Sequence, residues 1–175
     1  VQKIELGQLR LDIGLFNIVE IIKTAIIKME PLAIKNRIQL TMSCSEKINC
    51  FCDQVRIEQV LTNLITNAID FCPKENGRID VRAYVSGNLA KIIVQDNGIG
   101  IVKNKLDKIF VKFYQIDSGR TREHAGTGLG LAVCKGIIEG HGGKIWAESE
   151  GPGTGTQIHI TLPLGNHETT ANLLQ

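Results

Sequence analysis

Two glycine motifs and one polar helix stripe constrain this chain more than anything else in it. Asp96-Asn97-Gly98-Ile99-Gly100 puts a carboxylate on a turn that its glycines leave open to close approach by something flat. Gly126-Thr127-Gly128-Leu129-Gly130-Leu131 opens a helix, where backbone N–H groups and the positive end of the dipole hold phosphates. Upstream, about Gln54 to Phe71 reads as a long helix capped by Asp53. At about 100° per residue, Gln59, Asn63, Asn67 and Asp70 share one narrow stripe, and Val60, Leu61, Leu64, Ile65 and Ala68 lie opposite. The apolar side packs, and the amide stripe faces something polar. Together the three features describe a nucleotide site.

The rest of the chain supplies the scaffold. Asn17 and Glu20 form a capping-box-like pair for a helix with Val19, Ile22, Ile26 and Met29 or Ile27 at helical spacing, ending near Asn36 beyond Pro31. Strands are expected over Ile38 to Met42 and Ile48 to Phe51. Ile79 to Ser86 and Leu89 to Gln95 flank Gly87-Asn88 as a hairpin whose second strand delivers Asp96. A long irregular stretch, 101 to 125, reads as a lid. A helix from Leu129 to about Glu139 ends at Gly140-His-Gly-Gly143, followed by strands over Lys144 to Ser149 and Thr156 to Leu162. The expected class is α+β: a two-layer α/β sandwich with a mixed, mostly antiparallel sheet covered by helices.

Asn63-Leu-Ile-Thr-Asn67-Ala, then DNGIG, then Phe110-Val-Lys-Phe113-Tyr114, then GTGLGL resembles the N, G1, F and G2 boxes of sensor histidine kinase ATP-binding domains. These are HATPase domains of the GHKL superfamily, with the Bergerat fold, which also includes gyrase, heat-shock chaperone and mismatch-repair ATPases. The resemblance is close from about Asp53 to Pro163 and looser back to Ile4. It implies that the 101 to 125 stretch is an ATP lid and that Asp96 binds the adenine amino group. Gly98 and Gly100 then thin the wall, and Ile101 and Phe71 cover the ring. Asn67 ligates Mg²⁺ through its carbonyl oxygen, a hard donor suited to that cation, with Asn63 facing the same phosphates. Gly126, Thr127, Gly128, Leu129 and Gly130 wrap the phosphates. Phe110, Phe113 and Tyr114 anchor the lid, and Thr156 reaches the adenine side through water. Read without the resemblance, Asp96 is equally a turn cap, the asparagines an exposed pair, the glycines a helix entry and the aromatics core. Between 103 and 125, Lys103, Lys105, Lys108, Lys112, Arg120 and Arg122 stand against Asp107, Asp117 and Glu123, which suits a lid over polyphosphate.

Two positions depart from the pattern and bear on chemistry. Histidine kinases commonly carry lysine three residues after the second asparagine, where this chain has Asp70. A carboxylate about 5 Å from a phosphate charge, at an effective dielectric near 20, is repelled by roughly 3 kcal/mol, about a hundredfold in affinity. The ATPases of the superfamily resemble one another in a glutamate that activates water four residues before the metal asparagine, and here that residue is Asn63. The γ-phosphate then waits for another nucleophile, a histidine on a dimerisation domain. The expected function is presentation of Mg-ATP to that histidine, with a response regulator downstream and a homodimeric parent protein. Rival readings are a degenerate nucleotide-binding regulatory module and an anti-sigma-type serine kinase. KIELGQLRL, Lys3 to Leu11, resembles a dimerisation-helix end running into an extended segment. It places that element and its linker in residues 1–12, the ATP-binding domain in 13–163 and a loose tail in 164–175.

Composition narrows the setting. The 175 residues, 43% hydrophobic and 22% charged, suit one globular domain with a real core. A net charge of +2 spread along the chain suggests no nucleic-acid surface. No apolar run is long enough to span a bilayer and no signal peptide opens the chain, so a cytoplasmic domain without membrane contact is expected. Val1 in first place suggests a piece of a longer protein, in which a membrane anchor would lie upstream. Cys44, Cys50, Cys52, Cys72 and Cys134 lack paired metal-ligand spacing and read as reduced core thiols. His124, His141, His159 and His167 are scattered, none in the setting of a phospho-accepting histidine.

Overall fold

The computed structural model describes residues 2–6, 9–44, 47–115 and 128–165. Its strands are β1 (Gln2–Leu6), β2 (Leu9–Asn17), β3 (Ile38–Cys44), β4 (Asn49–Cys52), β5 (Gly77–Ser86), β6 (Leu89–Asp96), β7 (Lys144–Glu148) and β8 (Thr156–Pro163). Its helices are α1 (Ile18–Lys35), α2 (Gln54–Phe71) and α3 (Gly130–Gly140), with single 3₁₀ turns at Lys103–Lys105 and Lys108–Phe110. A five-stranded sheet runs β3-β5-β6-β8-β7, parallel between β3 and β5 and antiparallel elsewhere. This is the mixed α+β sandwich the sequence predicts.

Strand alternation explains the layers. Ile79, Val81, Ala83, Ala90, Ile92, Val94, Ile158, Ile160 and Leu162 are buried in one core with the helices. Each fully buried isoleucine or leucine there contributes about 1.5–3 kcal/mol. Intervening residues such as Asp80, Arg82, Gln95 and His159 point to the opposite face, as period two requires. On α2 the predicted apolar residues Val60, Leu61, Leu64, Ile65 and Ala68 are buried, joined by Ile57 and Ile69.

Two side chains tie the entry of the chain to this core. Asn17 Oδ1 accepts the N–H groups of Val19 and Ile48, each at 3.1 Å, starting α1 and fastening the approach to β4. Glu20 does not complete the capping box but pairs with Lys23 at 2.7 Å. Asp53 accepts Arg56 N–H at 3.1 Å, capping α2, and Asp12 N–H at 2.8 Å, fixing β2.

The N-terminal expectation needs correction. Lys3 to Leu11 holds no helix end: β1 and β2 form an antiparallel hairpin, and β4 joins it in a second sheet. β2 crosses the boundary drawn at residue 12. The physical reason is an overlooked period of two, in which Leu11 and Ile13 turn inward, 0% and 8% exposed, and Arg10 and Asp12 turn out. Cys50, Cys52 and Cys134 are buried, Cys44 and Cys72 half-buried, and all five are free thiols. Among the described residues no group of three metal-ligating side chains occurs, and no helix is long and apolar enough to cross a membrane.

Candidate functional site

A cleft of about 340 Å³ opens between α2, the turn after β6 and the start of α3. That is the size of a small-molecule pocket. Of the predicted site residues, Asn67, Phe71, Asp96, Gly100, Ile101, Tyr114, Gly128, Gly130 and Thr156 line it. Leu64, Val94, Ile109, Leu131 and Ile158 supply an apolar lining that suits a flat ring.

Asp96 ends β6 opposite Thr156 of β8. Burial pushes its carboxyl up to about 6, against backbone N–H groups of Gly98 and Thr156 that favour the charged form. The Gly98 bond is 2.7 Å. An ionised carboxylate has about four acceptor sites, so two backbone donors leave capacity for an exocyclic amino group. Glycine is required in the turn itself. A Cβ at Gly98 would lie 2.5 Å from the Phe71 carbonyl oxygen, and one at Gly100, where φ is +69°, would lie 2.0 Å from that of Gly151.

Helix α2 brings Asn67 to the same cleft with Thr66 and Asp70, a set of hard oxygen donors that fits Mg²⁺. Asp70 is exposed, so water screens it; near the dielectric of bulk water the repulsion worked above falls to about 0.8 kcal/mol. At the far end Leu129 precedes Gly130, the first residue of α3, whose N-terminus faces the cleft.

Residues 52–166 match the family described as histidine kinase-, DNA gyrase B- and HSP90-like ATPase. The chain belongs to this ATPase family. Over 140 residues it is 44% identical to "Sensor protein kinase WalK" of Staphylococcus haemolyticus, covering 79% of this chain and 23% of that protein. The catalytic domain of histidine kinase ThkA, in a nucleotide-free form, superimposes with a TM-score of 0.76 at 31% identity, covering 87% of this chain and 98% of that one. A structure of ThkA in complex with response regulator protein TrrA gives 0.75 at 29% identity, covering 89% and 43%. The chain spans about a fifth of the length of the curated relatives it matches.

Several placements in this ATPase domain differ from expectation. Asn63 is not among the residues lining the cleft; its Nδ2 lies 3.8 Å from Cys134 Sγ on α3. Gly98 is buried behind the wall. Phe110 is buried and Tyr114 lines the cleft, while Phe113 is 73% exposed at φ 63° and its ring joins no core among the described residues. Its N–H instead donates to Gly128 O at 2.9 Å. Gly126, Thr127 and the lid from 116 to 127, like the tail from 166, lie outside the described residues.

Sequence reasoning missed Asn97 and Ser149. Asn97 turns away from the cleft: Oδ1 accepts Arg78 N–H at 2.7 Å and Nδ2 donates to Asn76 O at 2.8 Å, bracing the chain after α2. The signal for it was available, since an asparagine inside a turn commonly bonds local backbone.

Proposed function

We propose that this chain is the ATP-binding catalytic domain of a two-component sensor histidine kinase. Asp96, half-buried in a cleft that Asn67 also lines, is the observation that carries the reading. In it, the ATP-binding domain runs from β2 to residue 163, the residues before β2 lead to an upstream dimerisation domain, and 164–175 are a tail.

The chemistry follows from the donor set. Asp96 accepts from the adenine amino group, and the thin wall at Gly100 lets the base approach the backbone, with Gly98 packed behind it against the Phe71 carbonyl. Phe71, Ile101 and Tyr114 exclude water from the ring. Thr156, on β8 beside Asp96 of β6, orders the base side through water, while Gly128, Leu129 and Gly130, with Gly126 and Thr127, present main-chain donors to phosphate. Mg²⁺, when bound, neutralises charge on the phosphates, and Asn67 is its proposed ligand. With Asn63 where a water-activating glutamate would stand, the domain positions the γ-phosphate for a histidine supplied by the dimerisation domain. A response regulator receives the phosphoryl group, and the parent protein is a homodimer that can be anchored in a membrane.

Calorimetric titration with a non-hydrolysable ATP analogue, with and without Mg²⁺, tests this against Asn67→Ala and Asp96→Asn. Magnesium-enhanced binding that both substitutions weaken, followed by phosphotransfer to an added histidine-bearing domain, is expected. Binding without transfer would favour a regulatory module, for which Asp70 at the cleft is the argument; no binding would reject the site.

A further inference from the structure

Ser149, just beyond β7, ties its own loop to Ile101, the residue that follows the Asp96 turn. Its Oγ accepts the N–H of Ile101 at 3.0 Å and that of Gly151 at 3.3 Å, and donates to the carbonyl oxygen of Gly155 at 2.7 Å. A serine hydroxyl has one donor and two acceptor sites; the proton favours Gly155 O over Gly151 O at 3.3 Å, and Thr154 Oγ1 lies 3.5 Å away. The loop it organises closes on the Asp96 turn through Gly155 N–H to Gly98 O at 3.0 Å and Gly153 N–H to Ile99 O at 2.6 Å. Gly98 and Ile99 are thereby held along one loop edge, which the Thr154 hydroxyl also braces by donating to Gly151 O at 2.7 Å, while Ile101 N–H is held by the Ser149 hydroxyl.

We infer that Ser149 is a positioning residue for nucleotide binding, setting the adenine wall through Ile101 and Gly155 without itself touching the ligand. The inference rests on the reading of the cleft as a nucleotide site. No other side chain bonds the Ile101 N–H among the described residues, and Ile101 lines the cleft. Removing the hydroxyl therefore frees that residue and the Gly155 carbonyl together.

The test is titration of the domain with ADP and with GDP in four forms: unaltered, Ser149→Ala, Ser149→Thr and Asp96→Asn. Ser149→Ala is expected to weaken ADP binding about tenfold, the weight of roughly one hydrogen bond, and to narrow the preference for ADP over GDP. Ser149→Thr, which keeps the hydroxyl, restores both. A lowered melting temperature with unchanged ADP affinity and unchanged base preference would make Ser149 merely structural and overturn the inference. So would a loss that Ser149→Thr does not restore. If Asp96→Asn also binds ADP like the unaltered protein, the nucleotide-site reading fails; if only Asp96→Asn weakens binding, the Ser149 inference alone fails. Should Ser149→Ala not fold, hydrogen exchange on the unaltered domain decides: saturating ADP is expected to slow exchange of the Ile101 and Gly151 amides, and unchanged rates would overturn the inference.

Discussion

Replacing Asp96 by asparagine is expected to weaken nucleotide binding and, at neutral pH, to stabilise the empty domain. Burial raises the Asp96 carboxyl from 3.8 to about 6. A group whose folded pKa is raised binds its proton more tightly when folded. Its contribution to stability is therefore fully present below about 3.8 and is lost as pH rises through about 6. The ionised carboxylate at pH 7 thus costs up to about 3 kcal/mol, at 1.36 kcal/mol per unit. Asparagine keeps an oxygen for the Gly98 N–H and carries no charge, so the empty variant gains up to that amount in urea unfolding at pH 7, and the gain vanishes near pH 4. Affinity moves the other way. A charge-assisted hydrogen bond exceeds a neutral one by about 1 kcal/mol or more, so Asp96→Asn binds at least about fivefold more weakly at pH 7. Protonation near 6 also implies that parent-protein affinity falls up to about tenfold from pH 7 to pH 5. Phosphates titrate in the same range, but the same nucleotide offered to both proteins cancels that effect in the ratio of their dissociation constants. The assay is calorimetry at pH 7, 6 and 5 together with urea unfolding of the empty proteins. A ratio independent of pH, with no stability gain at pH 7, would refute the reasoning.

Three further outcomes are expected. Gly98→Ala puts a Cβ 2.5 Å from Phe71 O and 2.7 Å from Asp96 Oδ1; it should cost about 1–3 kcal/mol of stability and most of the ADP affinity, and calorimetry showing unaltered binding would contradict the geometry. His141 Nε2 accepts Asp53 N–H at 2.9 Å and Nδ1 donates to Ile137 O at 2.7 Å. Burial lowers its pKa, against the opposing effect of Asp53, so its contribution is intact above about 6.5 and lost as pH falls below that value. His141→Gln should flatten the acid limb of the stability–pH profile. Trp146, the single tryptophan, stacks on His159 with centroids 5.1 Å apart, and its fluorescence should titrate with a midpoint below 6.5, because burial lowers the His159 pKa; loss of that titration in His159→Phe checks the assignment.

Local chemistry made most elements legible. Helix α2 was readable end to end because Asp53 is a strong cap, the apolar and amide faces separate cleanly at helical spacing, and Pro73 follows closely. The β5–β6 hairpin was readable from Gly87 between two alternating strands. The first half of the N-terminal segment was misread because the five-residue β1 carries few residues per face, and the pairing of β2 with β4, more than thirty residues away, leaves no local mark. The 73% exposure of Phe113 was not legible, because an aromatic residue in a motif says nothing of which way a backbone at positive φ turns its ring.

Residue types and spacing by themselves determined that this chain carries an Asp-containing glycine turn, an amide-bearing helix and a phosphate-type helix start, because those depend on neighbours within a few positions. Only the tertiary structure decided how they converge. The β6–β8 register sets Asp96 against Thr156, close packing excludes any Cβ at Gly98, and the contact with Cys134 takes Asn63 out of the cleft lining while Asn67 stays in it. Ser149 ties backbone of its own β7–β8 loop to Ile101 after the Asp96 turn. Burial, which moves the Asp96 carboxyl by about two units, is a property of everything packed around it and is written at no single position.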